Sequence, residues 1–440
     1  MKDESDIYLS EKHLPLRTIA FVVAFVVAVG AFAAGISALG RKQEGYHVIT
    51  PLPDETAPLY GSGVSFTCYL RGSSAEIKQA TNALRRDYSA ALKRAYILLD
   101  AEHTYEGYVN LASLNAVPGE TLAVDPALAA VLRDAYARTL SGQEAEPAVS
   151  LTGSLLEEQR RFGTGYNLFA GPLCAEWNSI LMLEEPQPFD PLCDAAETER
   201  LARLGAAVSN PAGFSFTVVD EAAGTVRFTV PDTLPALLRE LELDAPLLDL
   251  NLLHDAYELR LIADTLRAQG YGEGYLTTDS GLTLNLSAQG SGAYCLYGFD
   301  GADVTPAATA AVTVGSAFSQ FRSFPYGERE YGFYTVEADG HIVARHPYLS
   351  SMENPPALLA SSCVIDGSGD VVGACHRNIL LWRAADRDAL ALCLQDGTRV
   401  VACTLQGDAD KLVYANDKGM AVLAAAEEYG WRCCAATGNR

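Results

Sequence analysis

The chain is short of positive charge. Against 55 aspartates and glutamates stand only 32 lysines and arginines, for a formal net charge of -23 over 440 residues. A surface this acidic repels phosphate backbones and argues against nucleic acid as a partner. Cysteine spacing of the zinc type is missing too. No CxxC occurs and no second Cys/His pair stands at ligand spacing, so nothing here encodes a soft-metal site. Low-complexity tracts, long like-charge tails and internal repeats are absent, and the spread of acidic residues speaks for solubility alone. Beyond residue 40 no apolar run is long enough to cross a bilayer. No cysteine follows the one early run, which excludes a lipobox.

That early run is the clearest feature present. Thr18 to Gly40, TIAFVVAFVVAVGAFAAGISALG, carries no charge. At a helical rise of about 1.5 Å per residue it spans a hydrocarbon core roughly 30 Å thick. Its length argues against a buried core helix. It also exceeds the apolar core of a cleavable signal peptide, about 7–15 residues. The expectation is a retained single-pass anchor at 18–40 in the cell membrane. Residues 1–17 form a short cytoplasmic tail and the large C-terminal part lies outside the cytoplasm. Residues 41–58, with Pro51, Pro53 and Pro58, read as a linker to a domain at 59–440. The ten cysteines are irregularly spaced. They read mostly as buried small apolar side chains, with one or two bridges in an exported protein.

The spacing of apolar residues predicts a strand at 64–70, then a helix capped by Ser73 or Ser74 with Ile77, Leu84, Tyr88, Leu92 and Leu99 on one stripe. Asp125-Pro126 opens a second helix that stops before Gly142. A polar insertion follows at 143–163. FSFTVVDEAAGTVRFTV reads as a hairpin around Gly224, and 254–269 as a helix stopped by Gly270. The remainder is mostly strand. Helices near 386–394 and 418–428 bracket the strand RVVACTLQ, and another follows GDVVGACHRNILL. Hairpin-paired strands with helices grouped apart give an α+β fold: mixed, largely antiparallel sheets with packed helices, preceded by one transmembrane helix.

Several stretches, taken in order, resemble the FAD:protein FMN transferases, the ApbE or thiamine-biosynthesis lipoprotein family. They are YEGYVNLASLNAVPGETLAVDPALAAVL, YNLFAGPLCAEWN, LDLNLLHDAYELRLIADTLRAQGY, DGHIVARHPYLSSMENPP and the segment around GDVVGACHRNILL. The resemblance covers roughly residues 55–430. It implies the ApbE-like fold and, for an active member, transfer of FMN from FAD to a Ser or Thr of a target flavoprotein. FAD and Mg2+ would then be the cofactors, with the metal neutralising the diphosphate.

The polar positions depart from that pattern. The family places an Asp, with a Thr four residues later, ahead of a helix. Here Val372 and His376, or Gly373 and Arg377 one residue on, stand in those places. Asp255-Ala256 replace a Lys-Gly pair, reversing charge where a diphosphate would lie. Thr278-Asp279-Ser280 replace a Gly-Gly-Asp/Asn turn. Glu328-Arg329-Glu330-Tyr331 and Leu349-Ser350-Ser351-Met352-Glu353 replace two further motifs. Tyr105, Asn115 and His346 remain as candidate flavin contacts, with His346 the one catalytic candidate and Trp177 a core residue. Cys375 beside His376 is not a nucleophile–base pair, because neighbours on a helix point apart. The expectation is a fold kept for binding or scaffolding, with a degraded flavin and metal site and a flavoprotein or other extracytoplasmic protein as partner. If the chain is instead an active transferase, Asp366 and Asp370 are the metal-ligand candidates beside His346.

Overall fold

Residues expected to be linker are part of the domain. β1 (Gln43–Ile49) pairs antiparallel along its whole length with β2 (Val64–Gly72). Behind it, Ile49, Ala57 and Leu59 are buried. The amide of Leu52 donates to Ser89 Oγ at 2.7 Å, and Asp54 pairs with Lys93 at 2.8 Å. The domain therefore starts near residue 43, and the prolines shape a packed edge. The computed structural model describes residues 43–144 and 166–435 apart from short gaps, of which 349–357 is the longest. The expected anchor at 18–40 lies outside the described residues, as does the insertion at 143–163 beyond Glu144. Among the described residues no helix is long and apolar enough to cross a membrane.

Helix α1 (Ser74–Leu99) starts at a capping box. Ser73 Oγ accepts from the Glu76 amide, and the Glu76 carboxylate accepts from the Ser73 amide. Every residue of the predicted stripe is buried. A short α2 (Leu111–Asn115) and strand β3 (Thr121–Ala123) lead to α3 (Pro126–Glu144), which runs through Gly142 and ends later than expected. Next come α4 (Gly171–Leu181), α5 (Ala195–Ser209), the hairpin β4 (Ser215–Asp220) and β5 (Thr225–Thr229), α6 (Thr233–Glu240) and α7 (His254–Ala268). Gly270, at φ +90°, stops α7 in the left-handed conformation that glycine tolerates.

The C-terminal half supplies the rest of a nine-stranded sheet: β6 (Gly274–Thr278), β7 (Leu282–Asn285), β10 (Ala317–Arg322), β13 (Leu359–Asp366), β14 (Val400–Leu405), β15 (Leu412–Ala415) and β17 (Arg432–Ala435). Its order is β1-β2-β6-β7-β10-β13-β14-β15-β17. Every pairing in it is antiparallel except β15 with β17. Helix α8 (Val371–Leu381) packs on β10 and β13, and α7 packs between α8 and α1. On the sheet's other face lies a small sheet of β8 (Gly292–Phe299), β9 (Val304–Val312) and β16 (Ala421–Ala425). Covered on both sides, β13 and β14 are buried at every residue, which explains their unbroken apolar and small-residue runs. Beside this body stand the hairpin β11 (Tyr334–Ala338) and β12 (His341–Arg345) and the short helix α9 (Arg387–Cys393).

Two expectations fail for physical reasons. The segment 418–428 does not form a helix. Its alanines have high helix propensity, but Ala421–Ala425 pair with β9 and Glu427–Tyr429 form a single 3-10 turn, so tertiary pairing overrides propensity. No disulfide forms either: all ten cysteines are free, six of them buried. Elsewhere the α+β reading of packed helices on largely antiparallel sheets holds.

Candidate ligand cleft

Motif stretches far apart in the chain meet at one cleft of about 230 Å³. Asn251, Leu252 and Asp255 enter it from the start of α7. Asp279, Ser280 and Gly281 enter from the β6–β7 turn, Phe321 and Arg322 from β10, and Tyr326, Glu330 and Phe333 from the following loop. Pro347 and Tyr348 come from beyond β12, and Cys375 from α8. A second cavity of about 230 Å³ shares Asn251, Leu252 and Pro347 with it. Ligand pockets usually measure about 300–1,000 Å³, so this cleft as it stands is tight for a dinucleotide.

The turn at 278–281 has a geometric reason to exist. Gly281 sits at φ +90°, and a Cβ there would stand 2.6 Å from the Gln320 carbonyl oxygen, so only glycine lets the turn lie against β10. Opposite, α8 is pinned by buried polar groups. Asn378 Nδ2 donates to the Ser319 carbonyl at 3.1 Å, and Trp382 Nε1 donates to Ser362 Oγ at 2.6 Å. A satisfied network of this kind fixes the helix in rotation as well as in place.

That rotation decides which side chains face the cleft. Among the described residues of α8, Cys375 lines it. Neither register read from the sequence, 372/376 or 373/377, describes this helix face. Val372 is buried in the core, and the His376 ring packs edge-on to Tyr166. The Cys375 Sγ donates to the Leu252 carbonyl at 3.3 Å, and burial pushes its thiol up to about 12. The His376 ring is held neutral, at about 3, by burial and then by the nearby Arg138. No thiolate–imidazole pair exists here.

Asp366 and Asp370 are already engaged. Arg399 Nε lies 2.8 Å from Asp366 Oδ2, and its Nη2 lies 3.4 Å from Asp370 Oδ2. Asp366 Oδ1 also accepts from the Ser368 amide, and Asp370 Oδ1 caps α8 by accepting from the Gly373 amide at 2.9 Å. The absence of a side chain at Gly373 makes room for this pairing: a Cβ there would stand 2.5 Å from the Arg399 guanidinium. A guanidinium thus does the neutralising that a cation would do, and neither carboxylate lines the cleft. The donor set on this wall does not fit magnesium, which takes oxygen ligands.

The remaining sequence candidates hold structure. The Tyr105 hydroxyl donates to Asp100 at 2.6 Å. Burial alone would raise Asp100, but the bonds from Tyr105 and from the His103 and Glu102 amides outweigh it and lower its pKa. Asn115 stitches two loops together: its Nδ2 donates to the Ala101 and Leu248 carbonyls, and its Oδ1 accepts from the Leu248 amide. His346 is fully buried, its ring against Trp382 and Tyr348, and it does not line the cleft. Burial, then the charge of Arg345, pushes it down to about 3, too weak a base for proton transfer near neutrality. Trp177 is core, and its Nε1 donates to the His346 carbonyl at 3.1 Å. The parts of the expected motifs at 328–329 and 349–357 lie outside the described residues.

Sequence reasoning read Asp255 only as a reversed charge and missed its neighbours. His254 Nδ1 lies 3.1 Å from Asp255 Oδ1, Ser280 donates to Asp255 Oδ2, and Glu258 lies one turn along the helix. Burial pulls His254 down, but its bond to Asp255 and the surrounding carboxylates outweigh that and hold it near 9. Burial pushes Glu258 up to about 7. The signal was present in HDAYE, where His and Glu are four apart and share a helix face.

No protein-family model matches the sequence. No curated protein matches it either. Solved structures do. The ApbE protein of Thermotoga maritima is similar over 88% of this chain and 98% of its own, at 12% identity and a TM-score of 0.50. The apo flavinyl transferase ApbE of Pseudomonas stutzeri covers 88% and 96% at 15% identity and a TM-score of 0.46. The flavin transferase ApbE of Vibrio cholerae covers 88% and 99% at 12% and 0.47. Over most of its length the chain has the ApbE fold.

Proposed function

We propose that this chain is a membrane-tethered, extracytoplasmic binding protein on the flavin-transferase fold, and that it does not cleave FAD with magnesium. The observation that carries this is the α8 wall. It offers Cys375 to the cleft, while Asp366 and Asp370 are neutralised by Arg399 outside it. The uncharged run at 18–40 supports the tether. The cleft's lining supports a ligand without a diphosphate, because Asp279 faces it while its one lining guanidinium, Arg322, is paired with Glu330 and Asp255 with His254. At an effective dielectric near 20, one like-charge contact at about 8 Å costs about 2 kcal/mol. Its occupant is therefore a small planar molecule, seated on aromatic rings such as the stacked Phe321 and Tyr348, whose centroids lie 4.2 Å apart.

Asp255→Lys tests the charge argument. In EDTA, the wild-type chain binds FAD no more tightly than riboflavin, and Asp255→Lys shifts that ratio about 10-fold toward FAD, equivalent to about 1.4 kcal/mol. Fluorescence titration reads both ligands. A wild-type preference for FAD, undiminished by chelator, refutes the acidic-cleft reading.

A second reading, an active FAD:protein FMN transferase, draws on one feature. On α7, which packs against α8, His254, Asp255 and Glu258 bring potential ligand atoms within 4.8 Å of one another. The acidic lining works against a diphosphate there, and AMP release from FAD separates the two readings.

A further inference from the structure

We propose that His254, Asp255 and Glu258 form a binding site for one divalent transition-metal ion of the zinc class at the rim of the cleft. The site shares Asp255 with the charge argument above, but its evidence is the cluster on α7 and its test involves no flavin.

Three observations point to a cation. His254 and Glu258 stand four residues apart on α7, so their side chains share a face, and with Asp255 their ligand atoms all lie within 4.8 Å of one another. Glu258 is 1% exposed, and its Oε1 has no hydrogen-bond partner among the described residues. A buried carboxylate oxygen with nothing to accept from is costly, and a cation beside it removes that cost. Finally, no lysine or arginine among the described residues forms an ion pair with this group. The pair partner of Asp255 is His254, whose imidazolium is the group's one positive charge and gives up its proton when the ring nitrogen takes a metal, and Glu258 forms no ion pair.

The donor set indicates which cation. One imidazole nitrogen and two carboxylates suit zinc and its neighbours, whereas magnesium and calcium take oxygen alone. Three protein ligands leave a fourth position open, and of the three residues Asp255 lines the cleft. The outer shell is also in place: Ser280 donates to Asp255 Oδ2 and orients the carboxylate. His254 and Asp255 are half-buried, which leaves their side chains room to close on an ion.

The test uses the full chain, purified in mild detergent and stripped with chelator. Titration with Co2+ should give visible d–d bands that saturate at one equivalent and vanish on adding Zn2+. Glu258→Gln, which keeps the buried volume, and His254→Ala should each weaken binding about 100-fold, while Asp370→Asn leaves it unchanged. If Glu258→Gln does not fold, the half-exposed His254→Ala decides. The proposal is overturned if the wild-type chain takes up no Co2+ or Zn2+, or if the folded variants bind as well as wild type. It is equally overturned if Asp370→Asn abolishes binding while the α7 variants keep it, which would put the ion at the start of α8. None of these readouts involves FAD, so they stand or fall apart from the flavin reading.

Discussion

Asp190→Ala lowers the stability of the chain by about 3–5 kcal/mol in urea unfolding, the cost of removing one partner of a buried ion pair. Asp190 and Arg345 are 0% and 1% exposed at their side chains, with Nε 2.8 Å from Oδ2 and Nη2 2.9 Å from Oδ1. The Tyr334 hydroxyl and the Leu192 amide complete the carboxylate's shell. Burial works to raise the Asp190 pKa, but the bonds from Arg345 and Tyr334 outweigh it and bring it below the usual range. A depressed folded-state pKa gives stability that is present above the ordinary carboxylate range and lost as pH falls through the folded value. The variant's deficit is therefore full at neutral pH and shrinks in acid. The pair clamps the β11–β12 hairpin to the turn at 187–190, and Arg345→Met in the Asp190→Ala background should recover much of the loss by removing the stranded guanidinium. A deficit under 1 kcal/mol would mean that the hairpin is not held in this way.

Trp177→Ala costs about as much, roughly 3–5 kcal/mol, through the cavity it leaves. The ring is fully buried and Arg345 Cζ lies 5.7 Å from its centroid. Because it touches the same arginine, its effect is not additive with that of Asp190→Ala. Trp177→Phe keeps most of the burial and loses the bond to the His346 carbonyl, a change of about 1–2 kcal/mol. It also separates core from site: a core tryptophan lets Trp177→Phe bind ligands as wild type does, whereas a flavin contact does not.

Core and site were unequally legible in the sequence. The stripe of α1, the capping box, the hairpin at Gly224 and the stop at Gly270 all follow from local rules, because each is set by residues a few positions apart. Ala421–Ala425 was misread for the opposite reason: its pairing partner, β9, is more than 100 residues away and nothing local announces it. The cleft shows the same division. Motif order brought three of the right segments into view, around 251–255, 347–348 and 375, and these converge, whereas 105–132 supplies no lining residue. Which face of α8 looks inward depends on Asn378 and Trp382 meeting Ser319 and Ser362, so spacing alone put the wrong residues there. Arg399 reaches Asp366 and Asp370 only because β14 lies beside β13, which no motif recorded. Glu258 was hidden because its burial, rather than its identity, is what makes it unusual.

The central question for this chain is whether its cleft splits a flavin dinucleotide. The direct measurement is AMP release when the purified full chain is mixed with FAD and Mg2+, followed by chromatography over hours. Release is expected to be no faster than in buffer, with or without added Mg2+. Magnesium-dependent AMP release at a catalytic rate would contradict that expectation and make the chain a working transferase.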